Sequence, residues 1–379
     1  MREATQLRIV NEIITSYKGK EPLSRYLKKY FNANRQLGSR DRRLIQEFIY
    51  NYYRIGKMFS DKPIEARLAL ANKLCRAEPG PLFEYLISRH PEIEKMQLQS
   101  ELDKLFVQGR HLSDSIGKAD FIRSFLVQPK VWIRVRDEFK NEVEKELNEK
   151  SISFEKDNDQ PNAWSVKQAT ALDQMESFIK GYFEIQDLSS QKTIRYITPA
   201  NSEYWWDACA GAGGKSLMMA SHEPSIKLFC TDARETVLKN LEQRFKKAGV
   251  KNYSTKMLDL TSGLKPRIKE TFDGIVADVP CSGSGTWSRT PEWLTHFESK
   301  NIEKYKLLQR QIVSAVVNFL PDNKPFVYIT CSVFKEENEG NTSWMSENLP
   351  LKLQTQSYLE GSSKGADTMF VARFTKSDK

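Results

Sequence analysis

At 379 residues the chain can form two or three domains with a well-buried core, and its formal net charge of +9 directs attention to polyanionic partners. Five cysteines (Cys75, Cys209, Cys230, Cys281, Cys331) without CxxC spacing support neither a disulfide framework nor a zinc site, so no metal is expected. No apolar run approaches the roughly 18 residues of a membrane span, and with no apolar signal core at the amino terminus the free thiols point to a reducing cytoplasm.

Residues 1–125 read as helices punctuated by Pro22, Pro63, Pro79, Pro81 and Pro91. Residues 1–60 hold 13 Lys or Arg against 5 Asp or Glu, so +8 of the +9 resides there. Tyr17, Tyr26, Tyr30, Phe31, Phe48, Tyr50, Tyr52 and Tyr53 interleave with that charge. Such a surface suits nucleic acid, although a solvated helical face over an aromatic core has the same pattern. From Arg40 to Arg54, apolar positions 44, 45, 48, 49 and 52 follow helical spacing, with Ser39 as the expected N-cap and Arg42 and Arg43 on the wet side.

Val131-Trp132-Ile133-Arg134-Val135-Arg136 alternates like a strand with its arginines on one face. A charged helix over 137–149, short polar strands and a helix near 170–180 complete a small α+β unit over 126–185, with 157–162 as an internal turn. From 186 to 379, strands alternate with helices, as a mostly parallel α/β sheet requires. Strands are predicted at 204–210, 226–231, 253–258, 273–279, 325–331 and 370–374, and helices near 215–221, 234–247 and 301–319.

The first of these strands runs into Asp207-Ala208-Cys209-Ala210-Gly211-Ala212-Gly213-Gly214-Lys215, a glycine turn that opens a helix and lets a ligand approach backbone N–H groups. It is neither a Walker loop nor a clean GxGxxG. Asp232, about 20 residues on at the next strand end, is placed to accept from ribose hydroxyls, and Asp259 and Asp278 close the third and fourth strands. Trp205 and Trp206 read as core packing. Cys281, in Asp278-Val279-Pro280-Cys281-Ser282-Gly283, and Cys331, in Tyr328-Ile329-Thr330-Cys331-Ser332, also follow strand ends. A thiolate adds to carbon 6 of a pyrimidine and makes carbon 5 nucleophilic, and the product then needs a base for release. The two cysteines could be nucleophile and release group, with Asp278 as the acid contact near ring nitrogen 3. Cys75, Cys230 and Cys209 read as small buried hydrophobes, and Lys335, Glu336 and Glu337 as the opening of a helix.

In these motifs, over nearly its whole length, the chain resembles the RNA cytosine-5 methyltransferases of the RsmB/Sun and nucleolar Nop family. Asp278 to Gly285 and Tyr328 to Ser332, the latter followed by Glu336-Glu337-Asn338-Glu339, carry the resemblance most specifically, and Phe183 to Gln191 looks like the motif ahead of the cofactor domain. The resemblance implies S-adenosylmethionine as cofactor, with Cys209, Ala210, Gly211, Ala212, Gly213, Gly214, Lys215, Asp232, Asp259 and Asp278 lining its pocket. It also implies that Cys331 attacks the base and that Cys281 assists release. Gly211-Ala212 departs from the usual Cys-Ala-Ala-Pro-Gly-Gly-Lys. Leu37 to Arg43 and the helix after it are similar to the NusB-like RNA-binding module of bacterial members, and 126–185 to their small RNA-recognition-like linker domain.

The expectation is therefore a class I methyltransferase domain (186–379) behind a helical NusB-like domain (1–125) and the linker domain (126–185). It would act as a monomer on a cytosine in RNA, with small-subunit ribosomal RNA the first candidate. The alternatives are a non-catalytic ribosome-assembly factor that keeps the fold, disfavoured by the intact cysteines and pocket acids, and a DNA cytosine-5 methyltransferase, disfavoured by the basic amino-terminal region.

Overall fold

Helical spacing of apolar residues dictates the amino-terminal architecture in the computed structural model, which describes residues 2–75, 80–96, 99–166, 171–263 and 266–377. Pro79 and residue 170, both named above, lie outside these. Helices run over Arg2–Ser16, Leu23–Ala33, Ser39–Arg54, Ile64–Leu74, Pro81–Arg89 and Lys118–Ser124. Pro22 and Pro63 sit at N-caps and Pro81 at the first helical position, where a missing N–H costs nothing. Ile45, Phe48, Ile49 and Tyr52 form the expected buried seam of the third helix.

Ser39 is a correction: Gly38 occupies the cap position without a side-chain cap bond, and Ser39 is the first helical residue. Arg43 is exposed, but Arg42 is half-buried and donates from Nε to the Leu37 carbonyl at 2.8 Å. Of the interleaved aromatics, Tyr17, Phe31, Phe48, Tyr52 and Tyr53 are core. Among the described residues no helix is long and apolar enough to cross a membrane.

Contacts gather the chain into two compact units. The first comprises 1–112, 117–128 and a distant segment, 286–299. That segment supplies Trp287 and Leu294, both fully buried, and Phe297 to the unit's core. The buried Arg54 guanidinium ties three stretches of this unit together, donating to the carbonyls of Phe125 (3.0 Å), Val127 (3.2 Å) and Ser288 (2.8 Å). Glu292 accepts the Leu23 N–H at 2.9 Å, satisfying an orphan donor at a helix start.

The second unit contains two sheets. Strands β1 (Val131–Val135), β2 (Phe154–Lys156), β3 (Ala163–Val166) and β4 (Phe183–Ile185) form a small antiparallel sheet in the order β2-β3-β1-β4. Val143 and Leu147 of the helix Lys140–Glu149 pack on Ile133, Val135, Trp164 and Phe183. Asp137–Phe139, expected to open that helix, is a separate 3-10 turn. The helix expected near 170–180 is a 3-10 turn, Leu172–Gln174, and one α-turn, Glu176–Ile179. Arg134 is buried and donates to Gln186 at 2.8 Å.

The large sheet contains β5 (Tyr204–Asp207), β6 (Lys227–Asp232), β7 (Tyr253–Met257), β8 (Gly274–Asp278), β9 (Pro325–Thr330), β10 (Leu351–Leu359) and β11 (Met369–Lys376) in the order β10-β11-β9-β8-β5-β6-β7. Strands β5 to β9 are parallel, and β10 and β11 add an antiparallel edge. The central strands β8 and β9 read as continuous apolar runs because both faces are covered, whereas the edge strand β7 is polar and largely exposed. Strand β10 was not anticipated, and the helix expected to open at Lys335–Glu337 begins at Glu339 and runs to Asn348. The chain runs outward from β5 through β6 to β7 and returns to β8 on the other side of β5. That reversal is the topological switch point, where open α/β sheets bind ligands at the carboxyl ends of their strands.

Candidate active site

Asp207 ends β5, and the chain turns through Gly211 (φ +54°) and Gly213 (φ +79°) into the helix Gly214–His222. Both glycines are in the left-handed region that side chains disfavour. A Cβ on Gly213 would meet Leu241 Cγ at 2.7 Å, whereas one on Gly211 would point into open space. The loop is held by hydrogen bonds from Ala210 N–H to the Thr231 carbonyl (2.8 Å), from Gly213 N–H to the Ala210 carbonyl (2.9 Å) and from Gly211 N–H to Asp232 Oδ2 (3.1 Å).

Lys215, in the first turn of the helix, is nearly buried and pairs through Nζ with Asp278 Oδ2 at 2.5 Å. Asp207 is fully buried and accepts from Ser216 Oγ at 2.5 Å; burial pushes its pKa up to about 6, against the pull of that bond. Burial also raises Asp232, but hydrogen bonds from the Arg234 side chain and from the Arg234 and Gly211 N–H groups outweigh it and hold this carboxyl below its usual range. The Arg234 side chain is two-thirds exposed. Asp259 stands apart: it is exposed and accepts from Thr261 N–H and Oγ1 in its own turn. Cys209 is half-buried, and burial followed by the carboxylates of Asp207, Asp278 and Asp232 pushes its thiol well up, so it stays protonated. Trp205 and Trp206 are core, as expected.

Cys281, three residues beyond β8, and Cys331, directly after β9, meet with their sulfurs 3.2 Å apart. Two loops 50 residues apart in sequence are thus joined at the sheet edge. Gly285 N–H donates to the Cys331 carbonyl at 2.9 Å, and Ser282 Oγ donates to Ser332 Oγ at 3.0 Å. Beneath them lies Glu337, fully buried, which accepts from Ser282 N–H (2.9 Å), Ser332 Oγ (2.7 Å) and Gln309 Nε2 (2.8 Å). Sequence reasoning took Glu337 for the opening of a helix; here one carboxylate bridges the residues that follow each thiol. Burial pushes Glu337 up. The hydrogen bond to Cys331, then burial, then the charges of Cys331 and Glu337 push Cys281 well up. Tyr305, also missed, lies half-buried near both sulfurs, and burial raises its hydroxyl.

The donor set fits a nucleoside-bearing cofactor. Open space at Gly211, loop N–H groups at a helix start and an ionised Asp232 at the next strand end are arranged around one carboxyl edge of the sheet, beside a pair of thiols. Residues 194–374 match the sequence model of the 16S rRNA methyltransferase RsmB/F family. The matched stretch takes in the glycine loop and both thiols. It is 30% identical over 271 residues to the ribosomal RNA small subunit methyltransferase B of Pasteurella multocida, covering 66% of this chain and 59% of that protein. To the tRNA (cytosine(72)-C(5))-methyltransferase of Pyrococcus horikoshii it is 32% identical over 193 residues, 51% of this chain and 48% of the other. The chain thus spans about half to three fifths of the length of these curated relatives.

Among solved structures, that of PH0851 is similar with a TM-score of 0.75 at 21% identity, covering 94% of this chain and 95% of the other. NSun6 from Pyrococcus horikoshii gives a TM-score of 0.63 at 18% identity, over 74% and 98%. At these identities the likeness concerns the fold: a helical amino-terminal region followed by a class I methyltransferase sheet, as the RsmB/F motifs implied.

Proposed function

We propose that this chain is an S-adenosylmethionine-dependent RNA methyltransferase of the RsmB/F family that methylates carbon 5 of a cytosine through a covalent cysteine adduct. The observation that carries the reading is the 3.2 Å contact between Cys281 and Cys331 at the switch-point edge, beside the glycine loop. S-adenosylmethionine, held by the loop 209–215 and Asp232, supplies an electrophilic methyl group when bound.

The chain's own residues do the rest. Cys331, with the Cys281 sulfur 3.2 Å away, attacks as the thiolate, forming a bond to carbon 6 of the base, and carbon 5 becomes the nucleophile. Asp278, held by Lys215 Nζ at 2.5 Å, is the contact to the ring nitrogen 3 edge of the base. Once its sulfur is bonded to carbon, Cys331 no longer holds the Cys281 proton. Cys281 then gives its proton to water, and the resulting thiolate accepts the carbon-5 proton. The C–H electron pair restores the C5=C6 bond as the S–C6 bond breaks. A base reached this way must be unpaired or flipped out of its helix.

Small-subunit ribosomal RNA is the first substrate to test, with transfer RNA as the second, since relatives named for both are similar to this chain. Cys281→Ala should leave attack intact and strand the adduct as a protein–RNA band stable to denaturing electrophoresis, while Cys331→Ala should give neither adduct nor product. An adduct with Cys331→Ala and none with Cys281→Ala would reverse the two roles. Full activity of both single variants would overturn the mechanism.

A further inference from the structure

The cofactor loop has an anchor that none of its own residues provides. Neither Gly211 nor Ala212 restricts the backbone as a proline would. From the helix Glu235–Ala248, Arg244 reaches the loop and donates from Nη1 to the Ala212 carbonyl at 2.6 Å. Its Nε and Nη2 both donate to Glu184 Oε2, at 3.1 and 2.7 Å, and Glu184 is a nearly buried residue of β4. The guanidinium is thereby fixed on one side by a charged bond and presents its remaining edge to the loop, a use of the planar fork that lysine cannot reproduce.

The peptide that carries the Ala212 carbonyl also carries the Gly213 N–H, which is bonded to the Ala210 carbonyl. Arg244 therefore locks that peptide plane from the face opposite its internal turn. The same helix backs the turn at Gly213, where an added Cβ would meet Leu241 at 2.7 Å and Phe245 at 2.9 Å. A loop that must present N–H groups to a ligand binds more weakly by whatever it costs to order it.

We propose that Arg244, oriented by Glu184, is the positioning residue that preorganises the Gly211-Ala212 loop for its cofactor, in place of the Ala-Pro of the usual family pattern. The inference rests on reading this loop as the S-adenosylmethionine site. The protein would be titrated with S-adenosylmethionine by calorimetry and assayed for methyl transfer with cofactor and RNA varied separately. Arg244→Ala should raise the cofactor Kd and KM roughly tenfold, the size expected for one charge-assisted hydrogen bond, with kcat at saturating cofactor within about twofold and the RNA KM unchanged. Arg244→Lys, the milder change, should fall between.

Stiffening the loop with Ala212→Pro in the Arg244→Ala background, which leaves Gly211 in its left-handed conformation, should bring Kd back to within about threefold of the unaltered protein. If folded Arg244→Ala and Arg244→Lys lose melting temperature but keep the original Kd, or if the loop substitution restores nothing, the residue is a structural tie and the proposal is overturned. If the unaltered protein gives no cofactor heat at all, the reading of the site fails first and this inference with it.

Discussion

Replacing Asp207 with asparagine isolates the electrostatic cost of placing a carboxylate beneath the glycine loop. Asp207 is 1% exposed, and burial carries its pKa from an ordinary 3.8 to about 6. A folded-state value above the unfolded one means that stability is fully present below about pH 3.8 and is lost as the pH rises through about 6. The whole difference corresponds to at most about 3 kcal/mol at neutral pH, of which about 1 kcal/mol should return between pH 7 and pH 5. Asparagine has nearly the same shape, keeps an oxygen for the Ser216 hydroxyl and does not titrate. Urea and thermal unfolding of both proteins, followed by tryptophan fluorescence at pH 7.5, 6.5, 5.5 and 4.5, would read the gap between them. Carboxyls with lowered values, such as Asp232 and Asp157, shift stability in the opposite sense but are common to both proteins and largely cancel. The unaltered protein should gain on the variant as the pH falls, by about 2–4 °C per kcal/mol for a domain of this size. A gap that stays constant over the window, or widens against the unaltered protein on acidification, would refute the assignment of the cost to Asp207.

Glu337→Gln should lower single-turnover methyl transfer at least tenfold while leaving the cofactor Kd unchanged by calorimetry, because one buried donor after a thiol loses its acceptor at a cost of about 1–3 kcal/mol. Arg54→Met should destabilise the first unit by about 3 kcal/mol or more, seen as faster limited proteolysis within residues 2–128, since three carbonyls lose a buried donor. Arg43→Glu should weaken RNA binding across many sequences and flatten its salt dependence in filter-binding titrations. Arg42→Glu should in addition lower the melting temperature, because Arg42 also braces the turn before its helix.

Legibility followed covalent locality. Runs such as Ile275-Val276-Ala277 and Phe326-Val327-Tyr328-Ile329 announce parallel strands because both faces need apolar cover, and the strand ends then locate Asp207, Asp232, Asp278, Cys281 and Cys331. Strand β10 escaped notice because it has one mostly exposed, polar stretch, Lys352 to Ser357, where core strands have an apolar run. Glu337 and Arg244 could not be recognised locally. A glutamate shortly before a helix and an arginine on a helix face are ordinary, and only the folded chain brings them to residues 55 and 32 positions away. Asp259 shows the reverse: a strand-end carboxylate in a promising register that is engaged by its own turn.

The discontinuity of the first unit sets an order of events during synthesis. Its first six helices are complete by residue 128, yet Trp287, Leu294 and Phe297 emerge only about 160 to 170 residues later. At 5–20 residues per second the ribosome takes roughly 10–30 s to deliver them. Until then Arg54 lacks the Ser288 carbonyl, Leu23 lacks the carboxylate that satisfies its N–H, and apolar side chains destined to meet Trp287 remain open to solvent. The nascent helices therefore pass through an interval in which chaperones and proteases can reach them, and severing the chain after residue 128 would make that interval permanent.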